Sequence, residues 1–396
     1  MSSTPGVAEQ RFWSLRHSAG NPKIGWLGRR KGSVRAAASG MALTVVWPWV
    51  VLAQVAVPDS VRRAAASAPL FASHGTLTLT VEAPLATIFR ERGQNSEEYR
   101  GKVVDHQREG QVSLGVDIRT RGKTRLSRRI CQFPPLRLDF PRQQAEATVF
   151  RGQDKVKLVS HCQDDRSEYE QYVVQEYLVY RVLNLLTDLS FRVRLARITY
   201  VDTDAKRDTV TRYGFLIEGD EMMAARNGWQ ALAVPAIPRV MADPEYLALV
   251  GVFQYLIGNP DWSAFGVAPD EDECCHNTQP VGTQAGPVFS VPYDFDVTGA
   301  VYTRYADGLF RPQDRNLGIR TVRDRVYRGF CASAGYLPQV FGLFNQRREA
   351  IYALYREQAH LGPKIVEQTL KYFDEFYHRI NDPRTIAKAF GATCRG

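Results

Sequence analysis

Thr76-Leu77-Thr78-Leu79-Thr80-Val81 alternates polar and apolar residues without a break. Side chains on a strand point to opposite faces at each step, so this pattern predicts a half-buried β-strand. Val112-Ser113-Leu114-Gly115-Val116-Asp117-Ile118 alternates in the same way. After a turn at Arg121-Gly122, apolar alternation returns over 136–140 and 155–159. About five short strands bounded by turn residues predict an antiparallel, β-rich half.

Further along, the period changes. Residues 167–186 carry a long apolar pattern that stops before Thr187-Asp188 and predicts a helix. Two more strands are expected at 194–200 and 213–217, the second ending in Glu218-Gly219-Asp220. Beyond residue 240 the pattern is helical, at 244–257, 337–360 and 364–380, with a loop-rich segment over 258–318 between them. The class expected is α+β. Its divisions are a β-rich half with one long helix over 76–220 and a helical half with polar loops over 221–396.

Residues 1–40 hold seven basic residues against Glu9 alone, which accounts for most of the net charge of +9. The excess is an N-terminal feature and not a basic face, which argues against a nucleic-acid partner. Behind the basic run lies the uncharged block Met41-Ala42-Leu43-Thr44-Val45-Val46-Trp47-Pro48-Trp49-Val50-Val51-Leu52-Ala53. Basic run, apolar block and small residue at the end form a secretory signal peptide over 1–53, followed by an Ala-rich mobile linker over 54–75. The protein is then periplasmic or secreted, and would meet a membrane only through an uncleaved signal segment. Six cysteines in an exported chain point to disulfides. Cys131 and Cys162 flank the strands at 136–140 and 155–159, and antiparallel pairing of those strands would bring the two thiols together. Cys274-Cys275-His276 lacks the gap that lets both thiolates reach one zinc.

The chemistry concentrates in the loop-rich segment, at Gly258-Asn259-Pro260-Asp261-Trp262, His276-Asn277 and Val291-Pro292-Tyr293-Asp294-Phe295-Asp296. Carboxylates among aromatic and apolar neighbours are costly unless a cation pairs with them. If the segment is extended, Asp294 and Asp296 face one way and favour a shared metal, with Asn277 as a further oxygen ligand. Asp261, after the Asn259-Pro260 turn, is either a turn cap or a group that acts on a hydroxyl. The acidic run Asp270-Glu271-Asp272-Glu273 is expected to be a solvated loop. In the β half, Lys157 is a candidate phosphate contact. Glu176 lies in a stripe of Tyr172, Val173, Val179 and Tyr180, so it needs a cationic partner, for which Lys157 on the preceding strand is the expectation. A strand lysine paired with a helix glutamate recurs in protein-kinase sites.

Over residues 112–300 the chain resembles the CotH family of atypical, secreted-type protein kinases. Ile118-Arg119-Thr120-Arg121-Gly122-Lys123-Thr124 is similar to that family's Arg-Gly hairpin. Asn259-Pro260-Asp261-Trp262 with His276-Asn277 resembles its catalytic loop, and Tyr293-Asp294-Phe295-Asp296 its metal-binding motif. The resemblance implies a protein-kinase-like two-lobe fold, a β-rich N-lobe followed by a mostly helical C-lobe. It also implies Asp261 as the catalytic residue, Asn277, Asp294 and Asp296 as holders of magnesium, and Lys157, Glu176 and Glu218 at the ATP, with Glu218 at the hinge. Two features depart from the pattern. Fifteen residues separate Asp261 from Asn277, where kinases have about four. No glycine-rich loop precedes Lys157, since Gly110, Gly115 and Gly122 are dispersed.

The function expected is phosphate transfer from magnesium–ATP to a protein or other hydroxyl. The alternatives are an envelope binding module that retains the site without catalysis, and a metal-dependent hydrolase using Asp261, Asp294 and Asp296.

Overall fold

The computed structural model describes residues 57–106, 112–266, 273–309, 318–391 and 393–395, all within one compact unit, Gln54–Gly396. The signal peptide expected over 1–53 lies outside the described residues. So does most of the acidic run that precedes Cys274.

Seven strands build the β half: β1 (Leu77–Ala83), β2 (Tyr99–Asp105), β3 (Val112–Thr120), β4 (Leu136–Asp139), β5 (Lys155–Val159), β6 (Val193–Asp202) and β7 (Val210–Ile217). They close into a barrel in the order β1-β2-β3-β4-β5-β7-β6. Neighbouring strands run antiparallel except at the seam, where β1 lies parallel to β6 from Leu77↔Ala196 to Ala83↔Asp202. Inward residues such as Leu79, Val81, Val116, Ile118, Leu138 and Leu158 fill the interior.

The closed mixed barrel corrects the expectation of a protein-kinase-like two-lobe fold, whose sheet is open. Alternation predicts which face of each strand is buried, and that pattern is the same in an open sheet and in a barrel. The β1–β6 pairing that removes the sheet's edges joins residues more than a hundred positions apart, beyond the reach of local pattern. Two glycines make the closure tight. A Cβ on Gly101 of β2 would lie 2.8 Å from the Glu82 carbonyl oxygen, and one on Gly214 of β7 would lie 2.8 Å from that of Val159. Without side chains, these strands approach their neighbours closely.

Five helices precede or punctuate the barrel: α1 (Asp59–Ala66), α2 (Leu85–Arg90), α3 (Arg142–Ala145), α4 (Glu168–Leu186) and α5 (Asp220–Arg226). The helical half adds α6 (Pro244–Ile257), α7 (Leu337–Arg356) and α8 (Pro363–Ile380). Helix α4 is buried along most of its length and packs against β6, β7 and α7, tying the two halves together. Helix α6 starts with Pro244 and with Asp243 accepting from the Tyr246 N–H, and it ends at Gly258 with φ +65°. It is apolar on all sides, as a central helix must be. A Cβ on Gly258 would collide with the Tyr372 hydroxyl, so glycine is required there both for its conformation and for space.

A small sheet of β8 (Gln230–Ala231), β9 (Thr278–Gly282) and β10 (Val288–Pro292) has the order β10-β9-β8. The antiparallel pairing Thr278↔Pro292 sets Asn277 beside Tyr293 and so next to Asp294.

The expected linker is built into the fold. Residues 59–66 form α1, Leu70 and Phe71 are buried in the barrel's cluster, and Arg192 donates to the carbonyls of Ala65 and Ala66 at 2.8 and 2.9 Å. Disulfides join Cys131 to Cys162, as the β4–β5 pairing predicts, Cys274 to Cys275, and Cys331 to Cys394. No helix among the described residues is long and apolar enough to cross a membrane.

Candidate functional site

The polar groups converge where the end of α6, the ends of β9 and β10, the middle of α4 and a turn after β3 meet. Directly after α6, Asn259 is buried, and its Oδ1 accepts from the Asp261 N–H at 2.8 Å, fixing the turn that exposes Asp261. The chain then makes an excursion and returns. The Ser263 N–H donates to the His276 carbonyl at 2.9 Å, which brings His276 and Asn277 onto Asp261. His276 Nε2 lies 2.8 Å from Asp261 Oδ1, and Asn277 Nδ2 donates to the Asp261 carbonyl and Oδ2 at 2.7 and 3.2 Å. The long separation in sequence is thus spanned by the fold.

Asp294 stands next to this group. The Tyr293 N–H donates to the Asn277 carbonyl at 3.0 Å, and the Asp294 N–H donates to the Tyr180 hydroxyl at 2.9 Å. Asp294 and Asn277 have φ of +62° and +53°, left-handed conformations that Asp and Asn tolerate better than most residues. The positive φ breaks the extended geometry assumed for 294–296. Asp294 is 40% exposed at its side chain and Asp261 35%, whereas Asp296 is 9% exposed and Glu176 3%. Two carboxylates therefore face solvent and two face inward.

The cation that these acids require belongs to the chain. Arg125, in the 3-10 turn Thr124–Leu126 after β3, donates from Nη1 to Glu176 at 3.3 Å and from Nη2 to Asp294 at 3.0 Å. Its Nε lies 3.4 Å from Asp296, whose Oδ2 also accepts from the Tyr305 hydroxyl at 2.7 Å. Burial, reinforced by Asp296 and Asp294, pushes the Glu176 carboxyl up to about 8 against the pull of Arg125. Burial also raises Asp296 to about 6; Arg125 opposes this while Asp294 and Asp261 add to it, so the Asp261 charge is felt at Asp296. Burial works against the Arg125 charge too, but Asp296 and Glu176 outweigh it and hold the guanidinium protonated.

The sequence-derived pairings change accordingly. Glu176 pairs with Arg125 and not with Lys157. The register Lys157↔Ile217 puts Lys157 under the start of α5, where its Nζ donates to both Asp220 oxygens at 2.7 and 3.0 Å. The ammonium also lies 5.5 and 5.4 Å from the ring centroids of Phe191 and Tyr293. Glu218 is fully buried. Its oxygens accept from the Arg192 N–H and guanidinium and from Arg226 Nε, at 2.7 to 3.2 Å, so its carboxylate is committed within the fold. Nothing in the sequence singles out Arg125 among Arg119, Arg121, Lys123, Arg128 and Arg129 around it.

As a metal site, the expected trio of Asn277, Asp294 and Asp296 does not assemble, because Asp296 is turned onto Arg125 and Tyr305. Among the described residues no group of three or more His, Cys, Asp or Glu side chains is arranged to hold a metal ion. Asp294 and Asn277 remain on adjoining segments, joined by the bond from the Tyr293 N–H to the Asn277 carbonyl, with the Asp294 carboxylate at the solvent face. Such a pair suits magnesium held largely by the phosphates of a ligand, since magnesium is usually bound through only one or two protein carboxylates. A cavity of about 460 Å³ beside the start of α6 is lined by other residues, including Asp243, Glu245, Tyr246 and Val340, and by no cationic side chain that would favour a phosphate.

No protein-family model matches this chain, and no curated protein matches it.

Proposed function

We propose that this junction is a phosphotransfer site of CotH-like type, moving phosphate from magnesium–ATP to a hydroxyl, with a protein as the substrate class. The observation that carries the reading is Asp261, held from both sides by His276 and Asn277 and still open to solvent, with Asn277 bonded through its carbonyl to the Tyr293 N–H next to Asp294. A carboxylate in that position can orient a substrate hydroxyl and accept its proton. Asp294 and Asn277 are the residues that would hold magnesium, which supplies charge neutralisation on the phosphates. Lys157, partly exposed and backed by Asp220, is the cationic contact for a phosphate. Glu176 and Asp296 act indirectly, by fixing Arg125. Three disulfides fit an oxidising compartment, in line with export.

One observation favours a second reading. Arg125 already neutralises Asp294, an arrangement that also suits a binding module that never transfers phosphate. A hydrolase built on Asp261, Asp294 and Asp296 gains less support, because Asp296 is buried and engaged.

The test is purified mature chain incubated with labelled ATP, with and without magnesium. Phosphate recovered on the protein or on an acceptor supports transfer. Magnesium-dependent thermal stabilisation by ATP without transfer supports the binding module. No response of either kind rejects both.

A further inference from the structure

Arg125 reaches from the turn after β3 into a cluster whose other members lie on α4 and beyond β10. Each of its three nitrogens addresses a different carboxylate: Nη1 Glu176, Nε Asp296 and Nη2 Asp294. Glu176 and Asp296 are closed to solvent; Asp294 is not. Even with Glu176 protonated, Asp294 and Asp296 leave negative charge in excess of the one guanidinium, and Glu176 Oε1 is buried without a hydrogen-bond partner. The cluster is therefore under-compensated, and its one solvent-facing oxygen donor is the carboxylate that Nη2 covers.

We infer that Arg125 is a built-in competitor for the cation at Asp294: a divalent ion and the Nη2 end of the guanidinium exclude each other on that carboxylate. The role assigned to the ion rests on the phosphotransfer reading, while the competition follows from charge and position alone. When a metal takes Asp294, Arg125 keeps Glu176 and Asp296 through Nη1 and Nε. Of the two contacts that tie the β half to this segment, at Asp294 and Asp296, the one at Asp294 is given up. Metal binding thereby loosens an ionic latch between the turn after β3 and the end of β10, next to Asn277 and Asp261.

The experiment uses the full chain without nucleotide and terbium(III) as the probe, its luminescence sensitised by nearby tyrosines such as Tyr180 and Tyr293, with magnesium as the displacing ion. Arg125→Met combined with Asp296→Asn removes one charge of each sign at neutral pH, where Asp296 is ionised and Glu176 keeps its proton. The cluster's net charge is unchanged, so a gain in affinity reports a freed Asp294 and not a more negative pocket. Arg125→Lys, which retains a buried cation, is the second variant, and near-ultraviolet circular dichroism establishes that each is folded. Both variants are expected to bind terbium about tenfold tighter or more than wild type, given the strength of a direct ion pair at this depth. Asp294→Asn is expected to abolish binding in every background. Equal affinity in wild type and in both folded Arg125 variants would overturn the competition, as would terbium binding that survives Asp294→Asn or is absent throughout. Competition without phosphate transfer would sustain this inference and remove the catalytic reading; transfer without competition would do the reverse.

Discussion

Arg125 Nη1 and Glu176 Oε2 meet 3.3 Å apart inside the protein, one from the turn after β3 and the other from the middle of α4. Neither side chain has access to bulk water that could replace its partner. The first prediction follows from that isolation.

Arg125→Ala should destabilise the protein by about 3–5 kcal/mol, because it strands buried carboxylates. Adding Glu176→Gln should recover part of the loss. Chemical denaturation of the four proteins in the cycle measures this, and a single-variant cost near zero would show that the cluster is solvated.

Stability should also depend on pH through Glu176. Its carboxyl has a usual value of 4.5 and is raised to about 8 in the fold. Within that window the folded protein holds a proton that the unfolded chain releases. The contribution is therefore complete below 4.5 and is lost as the pH rises through about 8. Asp296 acts with the same sign between 3.8 and about 6. Glu176→Gln should accordingly gain on wild type in denaturation experiments as pH is raised from 5 to 8, and parallel pH profiles for the two proteins would contradict the assignment.

Lys157 and Glu218 should separate cleanly. Lys157→Ala breaks a partly exposed pair with Asp220 and should cost only about 0–1 kcal/mol while weakening nucleotide binding. Glu218→Gln disturbs a fully buried carboxylate shared by Arg192 and Arg226, and should cost several times more through the fold itself. Thermal denaturation with and without ATP distinguishes the two. A large loss of stability in Lys157→Ala would make it structural too.

Much of the local structure was legible because punctuation and periodicity agree. Pro244 and Gly258 bracket α6, and the expected span 244–257 is the one found. The strand pair on either side of Cys131 and Cys162 predicted their disulfide, since register and loop together fix which thiols meet. Barrel closure was not legible. The glycine in β2 hides a strand, and nothing near Leu77 indicates that its neighbour is Ala196. At the site, the need of Glu176 and the Asp294–Asp296 pair for a cation could be read from their apolar surroundings, but the identity of that cation could not. Arg125 is one of several basic residues in a run, distinguished only by a turn that points it inward. Asn277 beside Asp261 depended on an excursion whose return is set by backbone hydrogen bonds at Ser263 and Tyr293.

The most direct measurement is magnesium-dependent phosphate transfer from ATP by wild type and Asp261→Asn, with nucleotide binding followed in parallel. Asp261→Asn is close in shape and keeps Asp294 and Asn277. It should bind magnesium–ATP nearly as wild type does and lose transfer by about 10²-fold or more, because only the group acting on the hydroxyl is removed. Transfer at an equal rate in both proteins would contradict the assignment of Asp261 and the phosphotransfer reading with it.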